Sequence, residues 1–281
     1  MIYGINTFLF TSPFTTSDFH VLEKCREWGF DSVEIAVEDV AHIDGKKLSK
    51  ALADNGLVCG SACSVTGPGR DLRGSREDQE RSLDYIKGLL DLMAEIDCPV
   101  CMGPLYSAVG RAEMVGKNEY NRQWALVVGH LSTLSDYAAQ RNIKLALEPL
   151  NRYETDFVNT AEQVMNLVRD VGRENIGVLL DTYHMNIEEK DPAKAIQTAG
   201  ERLFHFHACG CDRGTPGNDH INWDPIVAAL KNIGYNKSIV IESFSTEVKV
   251  IAKAASIWRK FEPSQEDIAV KGLQFLRSQF K

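Results

Sequence analysis

The chain has 281 residues, 44% of them hydrophobic and 25% charged. That is ordinary for a globular protein and enough for one large core, so residues 1–281 are expected to form a single domain. A formal net charge of −8 sets the surface against phosphate backbones and anionic membrane faces, which argues against nucleic-acid and membrane partners and leaves neutral or cationic ligands.

Short apolar runs bounded by turn residues occur eight times: IYGINTF (2–8), SVEIAV (32–37), LVCGSAC (57–63), CPVCMG (98–103), IKLALE (143–148), IGVLLD (176–181), LFHFHA (203–208) and SIVIES (238–243). Each reads as a buried strand. Between them lie amphipathic stretches with apolar residues three and four apart, clearest from Ser17, Arg76, Asn121 and Thr160, several of them preceded by a Ser, Thr or Asn cap. QEDIAVKGLQFLRSQFK, from Gln265, reads as a closing helix. Successive strands start 25 to 45 residues apart, room for strand, helix and two loops each time, and eight such units predict a (β/α)8 TIM barrel. A doubly wound sheet would carry a glycine-rich phosphate turn after its first strand. INTFLFTSPF has none.

Seven cysteines, an odd count lying mostly inside apolar runs, fit reduced buried thiols and a cytoplasmic location better than a disulfide framework. CPVC (98–101) falls in a strand rather than at a helix start, against a redox or zinc reading. MIYGINTFLF carries no basic n-region or cleavage pattern, and no run reaches the ~20 apolar residues of a spanning helix.

Four consecutive strands end in the residue types that hold metals: Glu148, Asp181, His207 and Glu242, spaced 33, 26 and 35 residues apart. One βα unit per interval would bring all four to the C-terminal mouth of a barrel, where active sites lie. Three carboxylates there would repel by several kcal/mol and raise one another's pKa values unless a cation joined them. Three oxygen donors and one imidazole suit manganese, cobalt or magnesium better than structural zinc. Downstream stand Glu154, then His184 on the loop above the cluster, then Arg213 on a Gly- and Pro-rich loop. Histidine and arginine donate to sugar or carbonyl oxygens, and a carboxylate accepts from hydroxyls. His205, one pleat below His207, reads as a hydrogen-bonded core histidine, and Glu34 as a structural polar partner.

LALEPLNRYE, VLLDTYHMNIEE, HFHACGCDRGTPG and IVIESFS resemble the ketose 3-epimerases of the D-tagatose, D-allulose and L-ribulose group. GFDSVEIA resembles the wider xylose-isomerase-like barrels to which that group belongs. The resemblance implies one Mn²⁺ or Co²⁺ ion (Mg²⁺ as a third option) on Glu148, Asp181, His207 and Glu242. It implies that Glu154, His184 and Arg213 hold a small ketose near its C1 and C2 oxygens, and that the chain forms a homodimer or homotetramer. It also implies that Glu148 and Glu242 exchange the C3 proton on opposite faces of the substrate through a cis-enediolate. Members that favour D-fructose and D-allulose often carry tryptophans after the first and fourth strands; LFTSPF and LYSAVG contain none. The alternatives are a related aldose-ketose isomerase, an inosose dehydratase, a sugar-binding module, and an endonuclease IV-like repair nuclease. The nuclease would need further histidines after the second to fourth strands, where only His42 occurs.

Overall fold

The computed structural model of the chain describes residues 1–281. Eight parallel strands close into a barrel in sequence order: β1 (Ile2–Asn6), β2 (Ser32–Val37), β3 (Val58–Ser64), β4 (Val100–Gly103), β5 (Lys144–Leu147), β6 (Ile176–Asp181), β7 (Leu203–Ala208) and β8 (Ser238–Ile241). β8 pairs back onto β1, Ile5 opposite Ile241. The helices are α1 (His20–Glu27), α2 (Gly45–Asp54), α3 (Arg76–Glu95), α4 (Lys117–Ala139), α5 (Ala161–Val171), α6 (Thr182–Glu188), α7 (Pro192–Ala199), α8 (Trp223–Asn232), α9 (Lys249–Ala254) and α10 (Gln265–Gln279).

The caps explain where the helices begin. Ser75 and Asp78 close a reciprocal capping box on α3, as Thr160 and Gln163 do on α5, satisfying amides that the first turn leaves free. Gly172 ends α5 in the left-handed region, φ 64°. Three expectations shift. The first helix is preceded by a 3₁₀ turn over Thr16–Asp18 and starts at His20, α4 starts at Lys117 rather than Asn121, and β4 begins only after Pro99. Proline has no amide hydrogen for the ladder, which accounts for the last of these.

Most of the apolar burial lies between barrel and helices, as in Leu22, Leu90, Leu131, Val164 and Leu273. A smaller cluster, including Ala36, Cys63, Met102, Ala146 and Leu179, fills the inside of the barrel. The β6–β7 register slips between Val178 and Leu179, and the extra residue, Phe204, joins that interior cluster. Lys144 and Lys237 stand 5.0 and 4.9 Å from its ring centre, so the N-terminal end is plugged. Because strand side chains alternate, Glu148 and Asp181 fall on the inner face two residues beyond Ala146 and Leu179, at the open end.

Candidate metal centre and active site

One ligand atom from each of Glu148, Asp181, His207 and Glu242 lies within 4.8 Å of every other, and all four side chains are buried. Nδ1 of His207 is 3.4 Å from Glu242, 3.9 Å from Glu148 and 3.9 Å from Asp181. Three atoms facing this centre, Glu148 Oε1, Asp181 Oδ2 and His207 Nδ1, have no hydrogen-bond partner although buried. Orphaned buried acceptors are costly and rare, and three around one point describe a cation site. The donor set of carboxylate oxygens and one imidazole fits a divalent metal.

Asp181 reconciles two readings of a strand-end acid. Its Oδ1 accepts from the Tyr183 amide at 2.7 Å and so caps α6, while its Oδ2 is left facing the cluster. His184, expected on a loop, therefore sits on the first turn of α6. A carboxylate N-cap starts a helix where the sequence shows only DTYHMN.

Electrostatics divide the acids. Burial, then repulsion from Glu242, pushes Glu148 well above the usual carboxylate range. Burial pushes Asp181 up to about 7 against the pull of Arg213. Burial also opposes ionisation of Glu242, but His207 and Arg213 outweigh it and hold its pKa below the ordinary value. Arg213 Nη1 lies 2.9 Å from Glu242 Oε2, whereas Glu148 Oε1 has no such contact.

All three substrate-site candidates converge on the same mouth. Arg213 is 5% exposed, at φ 67° on the loop after β7, and its Nη2 reaches Glu154 at 3.4 Å and His184 Nε2 at 3.1 Å. Tyr183 and Phe244 flank the guanidinium, 4.3 and 4.8 Å from its carbon, which restricts where its fork can point. Asn151 was not visible as a functional residue in the sequence. Its backbone N–H donates to His184 Nδ1 at 2.9 Å, and its side-chain amide donates to Glu154 at 2.8 Å. An amide N–H can only donate, and burial holds the His184 pKa well down, so the neutral ring carries its proton on Nε2. Two donors, His184 Nε2–H and Arg213 Nη2–H, thus face each other with no acceptor between them. An oxygen able to accept from both would relieve that contact. No sequence signal marks Asn151, because its principal contact is made by backbone.

Beside the cluster opens a cavity of about 200 Å³ whose apolar lining includes Phe8, Val65, Val109, Phe244 and Ile251. Arg213 is the one arginine or lysine in its lining. Below the cluster, His205 is a buried, bonded histidine as expected: it meets Glu34 at 2.7 Å and Ser61 at 3.3 Å. The cysteines form no disulfide. Cys98 lies 3.1 Å from Cys59, not paired with Cys101.

A closed barrel with a buried acid and imidazole cluster at its mouth is the frame of a metal-assisted enzyme, and the chain's relatives place it among the isomerases. The description "Xylose isomerase-like TIM barrel" matches residues 22–279. A probable ketose 3-epimerase of Synechocystis sp. is 33% identical over 280 residues, 99% of this chain and 96% of that one. The ketose 3-epimerase of Arthrobacter globiformis is 30% identical over 283 residues, with 99% and 96% covered. The crystal structure of a D-allulose 3-epimerase from Methylomonas sp. in complex with D-allulose superposes with a TM-score of 0.93 at 28% identity, covering 99% of this chain and 97% of that one. The chain belongs to the xylose isomerase-like TIM barrel family and, within it, to the ketose 3-epimerases.

Proposed function

We propose that this enzyme inverts C3 of a free ketose such as D-tagatose, D-fructose, D-allulose or L-ribulose, working as one barrel over residues 1–281 with Mn²⁺ or Co²⁺ held by Glu148, Asp181, His207 and Glu242. The observation that carries the reading is the convergence of the three unpartnered atoms of Glu148, Asp181 and His207 beside two donors that lie 3.1 Å apart, His184 Nε2–H and Arg213 Nη2–H. A cation and a polarised oxygen are what deprotonation next to a carbonyl requires. The absence of any second arginine or lysine from the cavity wall supports a free sugar over a phosphorylated one. Seven unpaired cysteines, and the lack of any helix long and apolar enough to cross a membrane, support a cytoplasmic setting.

A bound divalent cation supplies Lewis-acid polarisation of the substrate's carbonyl and hydroxyl oxygens. Glu242, 2.9 Å from Arg213 Nη1, takes the C3 proton as general base. Glu148, on the other side of the cluster, returns a proton to the other face, and the roles exchange for the reverse reaction. His184 and Arg213 donate to the carbonyl oxygen as negative charge develops on it in the enediolate, and Glu154 accepts from a terminal hydroxyl. Asn151 holds both His184 and Glu154 in register.

The test is incubation of Mn²⁺-loaded protein with a panel of ketoses in deuterated water. Deuterium at C3 with inversion supports the assignment. Label at C1 points to aldose-ketose isomerisation, and loss of water to a dehydratase.

A further inference from the structure

Beneath the candidate cation centre the barrel buries a second group of ionisable residues that the reaction does not use. Glu34, on β2, is wholly enclosed and meets four neighbours. Oε1 lies 2.7 Å from Asn6 Nδ2 and 2.9 Å from His207 Nε2, and Oε2 lies 2.6 Å from Ser61 Oγ and 2.7 Å from His205 Nε2. Glu34, His205 and His207 could be taken for a second metal site. The surroundings argue otherwise, because the carboxylate is already saturated by hydrogen-bond donors and offers no free lone pair.

The direction of these bonds is set from outside the cluster. The Phe8 backbone N–H donates to Asn6 Oδ1 at 2.8 Å, so the Asn6 amide must turn its NH₂ toward Glu34. With Asn6 and Ser61 donating, a proton on Glu34 has no room, and each histidine must present its own Nε2–H. Nε2 of His207 is thereby committed as a donor to Glu34, which leaves Nδ1 as the nitrogen directed at Glu148, Asp181 and Glu242.

We propose that Glu34 is a positioning residue that commits His207 Nε2 as a hydrogen-bond donor and fixes the ring plane, so that Nδ1 is the nitrogen presented to a cation. This rests on the cation reading above. His205 and Ser61 act through Glu34 by holding its carboxylate plane, as does Asn6, whose Nδ2 also reaches Glu242 Oε1 at 3.4 Å. The device mirrors the one on His184, whose tautomer is set by a backbone donor rather than a carboxylate acceptor. A metal-bound imidazole whose other nitrogen donates to a carboxylate is both oriented and made more basic.

Three measurements decide it. Nitrogen-15 spectra of histidine-labelled wild-type protein should show His207, assigned by the signal lost in His207→Gln, with hydrogen on Nε2 both with and without Mn²⁺. An Nε2 without hydrogen, in either the Mn²⁺-free or the Mn²⁺-loaded protein, would overturn the proposal without any Glu34 variant. Calorimetric Mn²⁺ titration of Glu34→Gln should show affinity lower by about 10–100-fold, since one amide cannot accept from both histidines. Ser61→Ala, which leaves the His207 bond in place, should change affinity by less than about threefold. Wild-type-like Mn²⁺ affinity in a folded Glu34→Gln overturns the role of Glu34 and leaves the cation site standing. Failure of wild type to take up Mn²⁺ removes both.

Discussion

Arg213 places Nη1 2.9 Å from Glu242 Oε2, and no arginine or lysine makes the equivalent contact with Glu148 Oε1. In the cation-free chain the two glutamates of one cluster are therefore pushed in opposite directions, Glu148 above and Glu242 below the usual carboxylate value. Replacing Arg213 by Lys keeps the charge but loses the fork that spans Glu242 and the His184 side of the mouth. The expected outcome is a kcat lower by roughly 10²-fold with a smaller change in KM, since the lost donor acts mainly as charge develops on the substrate oxygen. Steady-state kinetics on the preferred ketose check this. A variant with wild-type kcat and a raised KM would mean that Arg213 only binds.

The two glutamates make separable predictions. Glu148→Gln and Glu242→Gln should each lower kcat by about 10²–10⁴-fold, with stereochemically opposite residues of activity. The variant that keeps the base for a given epimer should still wash deuterium into C3 of that epimer without inverting it. Undiminished C3 exchange in Glu242→Gln, starting from both epimers, would remove it from proton transfer.

Cation and proton compete for the same oxygens. Without a cation, Asp181 in the folded chain is pushed up to about 7 from an ordinary value of 3.8. The folded state then holds a proton that the unfolded state has lost, and that contribution to stability disappears as pH rises from about 4 through 7. A cation needs the ionised acids and gains over the same window. The rise in Tm produced by saturating Mn²⁺ should therefore be larger at pH 8 than at pH 6. Titrations at pH 6 in buffers of different ionisation heat should show proton release. An equal gain in Tm at both pH values would mean that the acids near His207 are already ionised in the cation-free protein.

Much of this site was legible from sequence because a barrel converts interval into place. Glu148, Asp181, His207 and Glu242 each close an apolar run one βα unit from the next, so closure alone collects them. Glu148 and Glu242 lie one residue past the ends of β5 and β8, which an apolar-run reading absorbs without harm. The position of His184 was misread because α6 starts on a cap that is also a candidate ligand, and a helix of seven residues has too few turns to show a period. Asn151 and the register slip at Phe204 were invisible for a different reason: one acts through its amide and the other through an extra residue in a strand, and neither changes the pattern of apolar residues. The apolar wall of the cavity is assembled from Phe8, Val65, Val109 and Ile251, four separate segments that only the closed barrel brings together.

That slip also bears on stability. Gly177, on β6 one residue before the slip, has no room for a side chain: a Cβ there would lie 2.4 Å from the Arg202 carbonyl oxygen and 2.6 Å from the Phe204 ring. The carbonyl belongs to backbone, so relief must come from moving the strand or expelling the ring from the plug. Gly177→Ala should destabilise the fold by about 1–3 kcal/mol, read as a Tm lower by roughly 5 °C. Asp181 lies on the same face four residues further along, but the Tyr183 amide anchors it independently at 2.7 Å. The kcat of the folded variant should accordingly stay within about threefold of wild type. An unchanged Tm would show that the Phe204 plug yields freely, and a collapsed kcat with normal Tm would show that strain at the bottom of β6 reaches the acids at its top.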